Sequence, residues 1–532
     1  MVQLEEATYQ EMLEKIEGGR KAEEELLLAK LELQWFREQL GLSKLKLYGA
    51  SSEKEPPHGP DSLFFNEAEQ LEEPNAPEPD VEPRPSRRAK RTGQREMLLE
   101  KFPVEDVFHT LPEDEQLCPE CAGKLHQMGE EVRQQIKIIP PKFIVQKDHR
   151  AKYSCRKCEE NAITTPVVTA PMPEPAFPGS LASSSAVAFI MYRKFVESVP
   201  LYRQEQGFKL SGFDLSRQTM ANWMIAGAGW LEHIYKRMQT QMLQHDILHA
   251  DETSVQVLKE DGRPAQSQSY MWLYRTGRDG PPMVLYDYQT TRASSHPRAF
   301  LKEFKGYLHV DGYAGYDNMP GVVLAGCWAH ARRKFHEALS LLEPAERKKL
   351  GAPAATGLNF CDRLFEVERD LRDVTPEERK AGGEARSKPI LEEFRTWLDD
   401  HSVKVLSKTQ LGSAIRYCLK QWSKLTTFLT DGRLELDNNR SERSIKPFVI
   451  GRKNWLFSNT PRGARSSAVI YSIVETAKEN GIDPLVYLCL LFDKLPNIDR
   501  QKAESLDTLM PWADTPQRCC KTPTSNRPET SN

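Results

Sequence analysis

The 532-residue sequence lacks any apolar run that approaches the roughly 18 residues needed to span a bilayer. Its first ten residues are acidic and lack the basic and then apolar layout of a secretory signal. Its ten cysteines are too few for a disulfide scaffold in so long a chain, and four of them fall in pairs with metal-ligand spacing. These absences argue against the membrane-spanning and disulfide-rich secreted classes, and they predict a cytoplasmic protein without a membrane partner.

A large net charge is also missing, since 73 basic and 76 acidic side chains give a formal charge of −3. The basic residues are unevenly distributed, so near-neutrality does not exclude a nucleic-acid partner. At about 150 residues per domain, the length indicates three or four units. The expected segments are an N-terminal helix (1–49), a disordered linker with a basic end (50–104), a zinc-ribbon-like module (105–165), a helical region (180–245), the first part of an α+β core (246–335), a helical insertion (336–425), the last part of the core with C-terminal helices (426–496) and a disordered tail (505–532).

The N-terminal segment carries four leucines at seven-residue spacing between positions 26 and 47. This spacing fits a short coiled coil. Glycines interrupt the pattern, so an amphipathic helix packed on its own chain fits as well. The proline-rich linker that follows cannot bury enough apolar surface to offset its ordering entropy. Its basic end, residues 84–91, suits either phosphate contacts or a solvated linker.

Two Cys-x-x-Cys pairs, Cys118 with Cys121 and Cys155 with Cys158, have the spacing of zinc knuckles. Each pair lets two thiolates converge on one ion, and two pairs complete a tetrahedral site for structural Zn²⁺. Four protein ligands leave no open position, so this metal should not be catalytic. Basic residues between 150 and 157 suit phosphate contacts. The alternative to phosphate contacts is a zinc module that only stabilises the fold, with its charges in solvent. The alternatives to a zinc site are a redox pair or unrelated thiols.

Residues 199–223 have the pattern of a helix-turn-helix. The first helix is predicted to end at Gly207, and Ser216 is a good N-cap for the second. In the DNA-binding version of this arrangement the second helix enters the major groove. The alternative is an ordinary helical hairpin with Trp223 in its core. The side chains that would face bases or phosphates are Arg217, Gln218 and Asn222.

Three segments deliver acidic residues to predicted element ends or interiors. Asp251 lies inside an apolar strand, where an unpaired charge is costly, and its rival Glu252 should face the opposite side of the sheet. Asp311 ends a second apolar strand. Glu442 lies in the first turns of a later helix. The alternatives are that Asp251 is a strand-end acid and that Glu442 forms an ion pair with a neighbouring base, while Asp317 and Asp437 could be a turn residue and a helix cap.

The element order between the first two acids predicts a ribonuclease-H-like fold. Three antiparallel strands, a helix and two further strands precede a helix at 327–334, and either Asp437 or Asn438 can cap the late helix. In that fold the first strand, the fourth strand and a late helix bring acidic side chains together. Converging carboxylates are hard ligands for Mg²⁺ or Mn²⁺. Two such ions about 3.5–4 Å apart activate a water or hydroxyl and stabilise the leaving oxygen of a phosphodiester.

The segment from 437 to 465 carries seven Lys or Arg residues and two acids, with Trp455 and Phe457 among them. Aromatic residues interleaved with cations suit a DNA end with splayed bases. A second basic cluster follows the fifth strand around His330, for which a solvated helix face is the alternative. The basic residues expected to contact DNA are Arg332, Arg333, Lys446, Arg452, Lys453, Arg462 and Arg465.

Taken together, these segments resemble the DDE transposases of the insertion sequence 66 family, the large transposase protein of that bacterial element. The segments are Cys118-Pro-Glu-Cys121 with Cys155-Arg-Lys-Cys158, His249-Ala-Asp251-Glu-Thr, Val310-Asp311-Gly-Tyr-Ala-Gly-Tyr-Asp317, Cys327-Trp-Ala-His-Ala-Arg332-Arg-Lys-Phe335 and Asp437-Asn-Asn-Arg-Ser-Glu442-Arg. The resemblance implies that Asp251, Asp311 and Glu442 are the catalytic acids and hold two Mg²⁺ or Mn²⁺ ions. Glu442 lies 131 residues after Asp311, a gap that requires the insertion at 336–425.

The resemblance also implies the partners and the reaction. The expected partners are the terminal inverted repeats of the element, target DNA and further copies of the chain in a synaptic complex, and the family is associated with small accessory proteins. The implied reaction cuts the element ends and joins their 3′ hydroxyls to target DNA, close to the nucleoid. Two alternatives stay open, namely a metal-dependent nuclease without joining and a non-enzymatic zinc-containing DNA-binding protein.

Overall fold

The computed structural model describes residues 142–156, 167–342 and 352–522, with a few isolated residues elsewhere (Lys15, 17–20, Phe36 and Arg347). The predicted coiled coil, the linker and residues 523–532 of the tail therefore lie almost wholly outside the described residues. So do Cys118, Cys121 and Cys158 of the predicted zinc site. Residues 505–522 of the tail are described and contain helical turns with Met510 buried, so the prediction that this part is disordered is wrong. The described residues from 142 to 173 belong to one compact unit, and residues 174–522 belong to another, together with the isolated residues between 15 and 36.

In the smaller unit, strands β1 (Lys152–Ser154) and β2 (Val167–Thr169) pair antiparallel, with Lys152 opposite Thr169. The Arg150 guanidinium donates a hydrogen bond of 2.6 Å to the Ala170 carbonyl beyond this pair. Cys155 directly follows β1 and is exposed. A thiol that leaves a short hairpin in this way is suitably placed for a metal knuckle.

A mixed sheet forms the centre of the larger unit. Its strands are β3 (Ile247–Gln256), β4 (Gln268–Thr276), β5 (Val284–Gln289), β6 (Gly306–Val310) and β7 (Val322–Gly326). The spatial order is β5-β4-β3-β6-β7; β3, β4 and β5 pair antiparallel, whereas β3, β6 and β7 pair parallel. The predicted three antiparallel strands followed by two more are confirmed. The strand that carries Asp251 thus lies in the middle of the sheet.

The helices of the larger unit surround this sheet. They are α1 (Ser184–Phe195), α2 (Leu201–Leu210), α3 (Arg217–Met242), α4 (Ser295–Phe300), α5 (Trp328–Ser340), α6 (Pro353–Asp370), α7 (Pro376–Gly382), α8 (Lys388–Ser402), α9 (Gln410–Leu425), α10 (Asn439–Trp455), α11 (Pro461–Glu479), α12 (Pro484–Lys494), α13 (Ala503–Asp507) and α14 (Asp514–Cys519). Helix α11 packs on β5 and α3, and α10 packs on β3. Among these described helices, none has the length and apolar character to cross a membrane.

Two apolar cores stabilise this unit. The first contains the sheet with α1, α3, α11 and α12. The second joins α5 to α6, α8 and α9 around Trp328, Phe335 and Phe394. The buried Trp328 indole donates a hydrogen bond of 2.8 Å to the Leu425 carbonyl, which satisfies its polar group inside this core. The helices between Pro353 and Leu425 therefore have a core of their own that includes the helix following β7.

The predicted helix-turn-helix differs from the observed hairpin at one helix end. Helix α2 passes through Gly207 and ends at Leu210, and the residue with a left-handed backbone is Gly212, with φ +81°. The prediction that Gly207 ends the helix is therefore wrong, because the buried Phe208 extends the packed face by another turn. Ser216 caps α3 as predicted, accepting a hydrogen bond of 3.1 Å from the Thr219 amide.

Gly306 allows two backbones to approach closely at the start of β6. Its φ is +151°, and a Cβ placed there would lie 2.2 Å from the Asp246 carbonyl oxygen. We predict that Gly306→Ala lowers the free energy of unfolding by about 1–3 kcal/mol or more, because both the φ and the contact become strained. Denaturant unfolding measures the change.

The matched control is Gly207→Ala, at a helical position with no atom within 4 Å of the added Cβ. This variant should gain about 0.5–1 kcal/mol, since alanine has the higher helix propensity. Equal unfolding midpoints for the two variants would contradict the proposed close approach.

Candidate active site

Asp251 lies on the central strand β3, opposite Leu273 of β4. Burial raises the pKa of its carboxyl well above the ordinary value, and the negative charges of Glu252, Asp311 and Glu442 raise it further. Its Oδ1 accepts one hydrogen bond of 2.8 Å, from the Glu252 amide. The three acids predicted from the sequence are therefore close enough for Asp311 and Glu442 to disfavour ionisation of Asp251.

Asp311 follows β6, the parallel neighbour of β3. Its Oδ1 accepts a hydrogen bond of 2.9 Å from the Tyr313 amide. Helix α9 of the insertion holds the same loop through the Tyr417 hydroxyl, 2.8 Å from the Asp311 carbonyl, and the Gln421 amide, 3.1 Å from the Gly312 carbonyl. Two elements from distant parts of the sequence thus fix the position of this carboxylate.

Glu442 lies in the first turn of α10. The Arg333 guanidinium of α5 lies 3.3 Å from its Oε2, and His330 Nδ1 lies 3.6 Å from its Oε1. His330 in turn feels the charges of both Glu442 and Asp311. The helix after β7 therefore holds Glu442 on the side of the site where Asp311 lies.

The buried side chain of Asn438 joins α10 to β3. Its Oδ1 lies 2.9 Å from His249 Nδ1, and its Nδ2 donates a hydrogen bond of 2.9 Å to the Ala250 carbonyl. Asn438 occupies the N-cap position, but its side chain makes no cap hydrogen bond. Of the two predicted cap residues, Asn438 therefore occupies the cap position, whereas its side chain bonds to the central strand β3. Asp437 accepts a hydrogen bond of 3.0 Å from the Asn439 amide instead.

Glu252, the rival of Asp251, has partners of its own. It pairs with Arg292, and the Tyr316 hydroxyl donates a hydrogen bond of 2.7 Å to its Oε2. Burial raises the pKa of the Glu252 carboxyl, whereas the hydrogen bonds from Tyr316 and Arg292 lower it. Arg292 also stacks over the Tyr313 ring at 3.7 Å. These contacts account for Glu252 without a metal ion.

Two buried histidines beneath the acids were missed by the sequence analysis. His249 and His309 are register partners on β3 and β6, and their rings stack 4.4 Å apart. Each lies two residues before a candidate acid, so the repeated His-x-Asp pattern was the available signal. Burial lowers the pKa of His309 to about 4, and both of its ring nitrogens lack hydrogen-bond partners among the described residues.

The donor set at this site suits hard divalent cations. The carboxylates come from β3, the end of β6 and α10, and the charges of Asp311 and Glu442 raise the pKa of Asp251. Such repulsion is relieved by a cation with oxygen ligands. Asp251, Asp311 and Glu442 therefore fit the Mg²⁺ or Mn²⁺ that the resemblance implies.

Comparison with known protein families agrees with this geometry. The family model described as Transposase IS66 family matches residues 179–466. The chain belongs to this family. Further family models match residues 115–159 (zinc-finger binding domain of transposase IS66), 472–512 (IS66 C-terminal element) and 35–107 (Transposase C of IS166 homeodomain). Membership supports a transposase role and DNA binding, and the zinc-finger match supports a structural zinc.

Two relatives of this transposase family member come from Sinorhizobium fredii. The uncharacterized protein y4jD is 30% identical over 430 residues, covering 78% of this chain and 81% of the relative. The uncharacterized protein y4hP is 31% identical over 413 residues, covering 74% of this chain and 73% of the relative. No solved structure matches the chain.

The candidate DNA-contacting residues of α3 lie on its exposed first turns. Arg217 lies over the Tyr202 ring at 5.9 Å, and Gln218 donates a hydrogen bond of 3.1 Å to Asn222. Trp223 packs against the main core, as the hairpin alternative expects. The exposed polar start of α3 and the packed tryptophan are both present. The hairpin therefore contributes to the core and also leaves a polar face exposed.

The basic residues of α5, α10 and α11 fall into two groups. Arg332 pairs with Asp362 at 2.6 Å, and Arg333 pairs with Glu442. Arg452 is half-buried and bonds to Ser254 of β3, so it fastens α10 to the sheet. The four remaining predicted contacts are exposed, namely Lys446, Lys453, Arg462 and Arg465.

An apolar turn lies among these exposed cations. Leu456 has a left-handed backbone, with φ +62°, and its side chain is 64% exposed, and Phe457 beside it is 43% exposed. The Phe457 amide donates a hydrogen bond of 2.8 Å to the Trp455 carbonyl, and the Ser458 amide donates one of 2.9 Å to Gln256 at the end of β3. A strained turn is thus anchored to the strand that carries Asp251.

The buried His309 predicts a loss of stability in acid. Because its pKa falls from 6.5 to about 4 on folding, the unfolded state binds more protons between these values. The contribution of neutral His309 to the free energy of unfolding is fully present above pH 6.5. It is lost as the pH falls, and the loss reaches about 3 kcal/mol at pH 4. Denaturant unfolding at several pH values measures this slope.

The variant His309→Phe keeps a flat ring but cannot titrate, so its unfolding free energy should depend less on pH in this window. The control His336→Phe, at an exposed histidine of α5, should keep the wild-type slope. Contributions from Asp251 are common to all three proteins and cancel. Parallel slopes for His309→Phe and the wild type would contradict the assignment.

Proposed function

We propose that this protein is a DDE transposase that cleaves the phosphodiester bonds at the ends of its element and joins the freed 3′ hydroxyls to target DNA. The observation that supports the proposal is that the charges of Asp311 and Glu442, which come from two other segments, act on the buried carboxyl of Asp251 and raise its pKa. Family membership supports the same role. The sheet order, with three antiparallel strands and two parallel ones, supports a ribonuclease-H-like core.

In this proposal Asp251, Asp311 and Glu442 hold two Mg²⁺ or Mn²⁺ ions. When bound, such ions activate the attacking water or 3′ hydroxyl and stabilise the leaving oxygen. The chain's own contribution is to keep the three carboxylates in place. The Tyr313 amide orients Asp311, Arg333 orients Glu442, and the central position of β3 fixes Asp251.

The exposed cations near the site are proposed to bind the DNA backbone. Lys446, Lys453, Arg462 and Arg465 lie on α10 and α11, whose connecting turn is anchored to the end of β3. Phosphate contacts of this kind make affinity fall steeply with salt. Phe457 in that turn offers an aromatic face for an unstacked base at the DNA end.

Segments outside the three-acid site would contribute a structural metal and further DNA contacts. Cys118, Cys121, Cys155 and Cys158 would hold the structural zinc of the matched zinc-finger domain. The exposed start of α3, with Arg217, Gln218 and Asn222, would add contacts to the terminal repeats. A synaptic complex of two element ends requires more than one copy of the chain, and small accessory proteins of the element are further expected partners.

The test replaces each candidate acid without changing its size. We predict that Asp251→Asn, Asp311→Asn and Glu442→Gln each reduce strand joining by about 10²–10³-fold or more, because each removes a charge that stabilises the reaction. Binding to the element ends should survive in all three. Joining is measured with labelled end DNA and a target plasmid, and binding by gel shift.

The matched control is Glu384→Gln, at an exposed acid of the insertion, which should join DNA like the wild type. Full joining by Asp311→Asn would remove Asp311 from the site. Metal-dependent cleavage by the wild type without joined products would favour a nuclease instead. Binding without cleavage would favour a DNA-binding protein that is not an enzyme.

A further inference from the structure

A compact group of different ligand types lies beside the three acids. One ligand atom from each of Cys327, His330 and Glu442 lies within 4.8 Å of the other two. Cys327 is the N-cap residue of α5, and His330 lies in the first turn of that helix. Glu442 lies in the first turn of α10. Two helix starts therefore bring a sulfur, a nitrogen and an oxygen atom together.

Two of these atoms have unsatisfied hydrogen-bonding capacity. His330 Nδ1 and Glu442 Oε1 are buried and have no hydrogen-bond partner in the described part of the chain. They lie 3.6 Å apart, which is too long for a hydrogen bond. Leaving a buried polar atom unpaired destabilises the folded protein. A cation bound between these two atoms would satisfy both of them.

The sulfur of Cys327, unlike the other two atoms, already accepts a hydrogen bond from the backbone. Its Sγ accepts a hydrogen bond of 3.2 Å from the Asn438 backbone amide. Backbone donors directed at a sulfur stabilise a thiolate and are typical of the outer shell of a metal site. Burial raises the pKa of the Cys327 thiol to about 12, so a bound metal ion must displace its proton.

We propose that Cys327, His330 and Glu442 bind one Zn²⁺ ion and leave its fourth position open. Thiolate, imidazole and carboxylate are the ligands that zinc prefers, whereas a thiolate does not suit Mg²⁺. None of these residues belongs to the cysteine pairs at 118–121 and 155–158, so the site is distinct from the zinc-finger domain.

The consequence for activity rests on the proposed function. Glu442 belongs to both the zinc site and the group of three acids, so zinc bound here takes this carboxylate from Asp251 and Asp311. Zinc at this site therefore inhibits strand joining in the presence of Mg²⁺. The His330 and Cys327 side chains determine that sensitivity, although neither is required to hold the catalytic cations.

The first test counts bound zinc in the full-length protein and needs no activity. Protein dialysed against a series of buffered Zn²⁺ concentrations is analysed by atomic emission. The wild type should bind one more zinc ion per chain than Cys327→Ser and His330→Asn. The added site should weaken by more than about 100-fold in each variant, since losing only an outer-shell partner already costs about 10–100-fold.

The matched control is Cys519→Ser, which removes an exposed thiol outside the cluster and should bind as much zinc as the wild type. Co²⁺ added to the protein gives a second measurement, because a cysteine ligand produces a sulfur-to-metal absorption band. This band should be weaker in Cys327→Ser than in Cys519→Ser. Equal zinc counts and equal bands in the wild type and Cys327→Ser would overturn the site.

The second test measures strand joining in Mg²⁺ as Zn²⁺ is added. Joining by the wild type should be lost at zinc concentrations that leave Cys327→Ser active. Equal zinc sensitivity of the two proteins would overturn the competition for Glu442. A wild type that binds the extra zinc but never joins DNA would contradict the transposase function while supporting the metal site.

Discussion

The buried side-chain amide of Asn438 holds the candidate site together. It bonds to the His249 ring and the Ala250 carbonyl on β3, and the Asn438 backbone amide bonds to Cys327 before α5. Three segments far apart in the sequence therefore meet at one residue. Glu442 lies one turn beyond it, so the register of α10 against the sheet decides where this carboxylate lies. A buried amide with several partners imposes such a register more strictly than apolar packing does.

Electrostatics around the acids divides them into paired and mutually repelling groups. Glu252 is neutralised by Arg292, and Glu435 is held by Arg278 and Arg440 at the edge of the same region. Among the described residues, Asp251 instead has only a backbone amide as hydrogen-bond donor and other carboxylates nearby. A site arranged in this way is less stable without cations than with them. The same arrangement makes the acids ready ligands when divalent ions and DNA arrive.

The sequence was informative where a local pattern determines the structure. Apolar β-branched runs predicted β3, β6 and β7, and Ser216 predicted the start of α3, because these signals depend on a few neighbouring residues. The end of α2 depends on the packing of Phe208, so the local glycine rule placed it wrongly. The bonds of the Asn438 side chain to β3 involve partners far away in the sequence, which local rules do not reveal. The stacking of His249 on His309 requires the parallel register of two strands, which spacing alone does not reveal.

For the same reason, sequence spacing alone could not predict that Glu442 lies near Asp251 and Asp311. Glu442 lies 131 residues after Asp311 in the sequence, and two apolar cores and the Asn438 contacts bring the two segments together. None of these contacts produces a periodic pattern in the sequence. Family resemblance supplied that assignment. The basic stretch predicted a DNA contact for Arg452, and it did not reveal that the guanidinium of this residue bonds to Ser254. Charge patterns identify a surface, whereas individual roles depend on tertiary neighbours.

Hydrogen bonds from α9 of the insertion stabilise the loop that carries Asp311. Tyr417 and Gln421 bond to backbone carbonyls of this loop, and Lys424 pairs with Asp317 at 2.6 Å. Partial unfolding of the helices around Phe394 therefore frees the loop as well, and the two regions open as one cooperative unit. Amide protons at residues 311–317 are then expected to exchange with solvent at the rate of the insertion rather than at that of the central sheet.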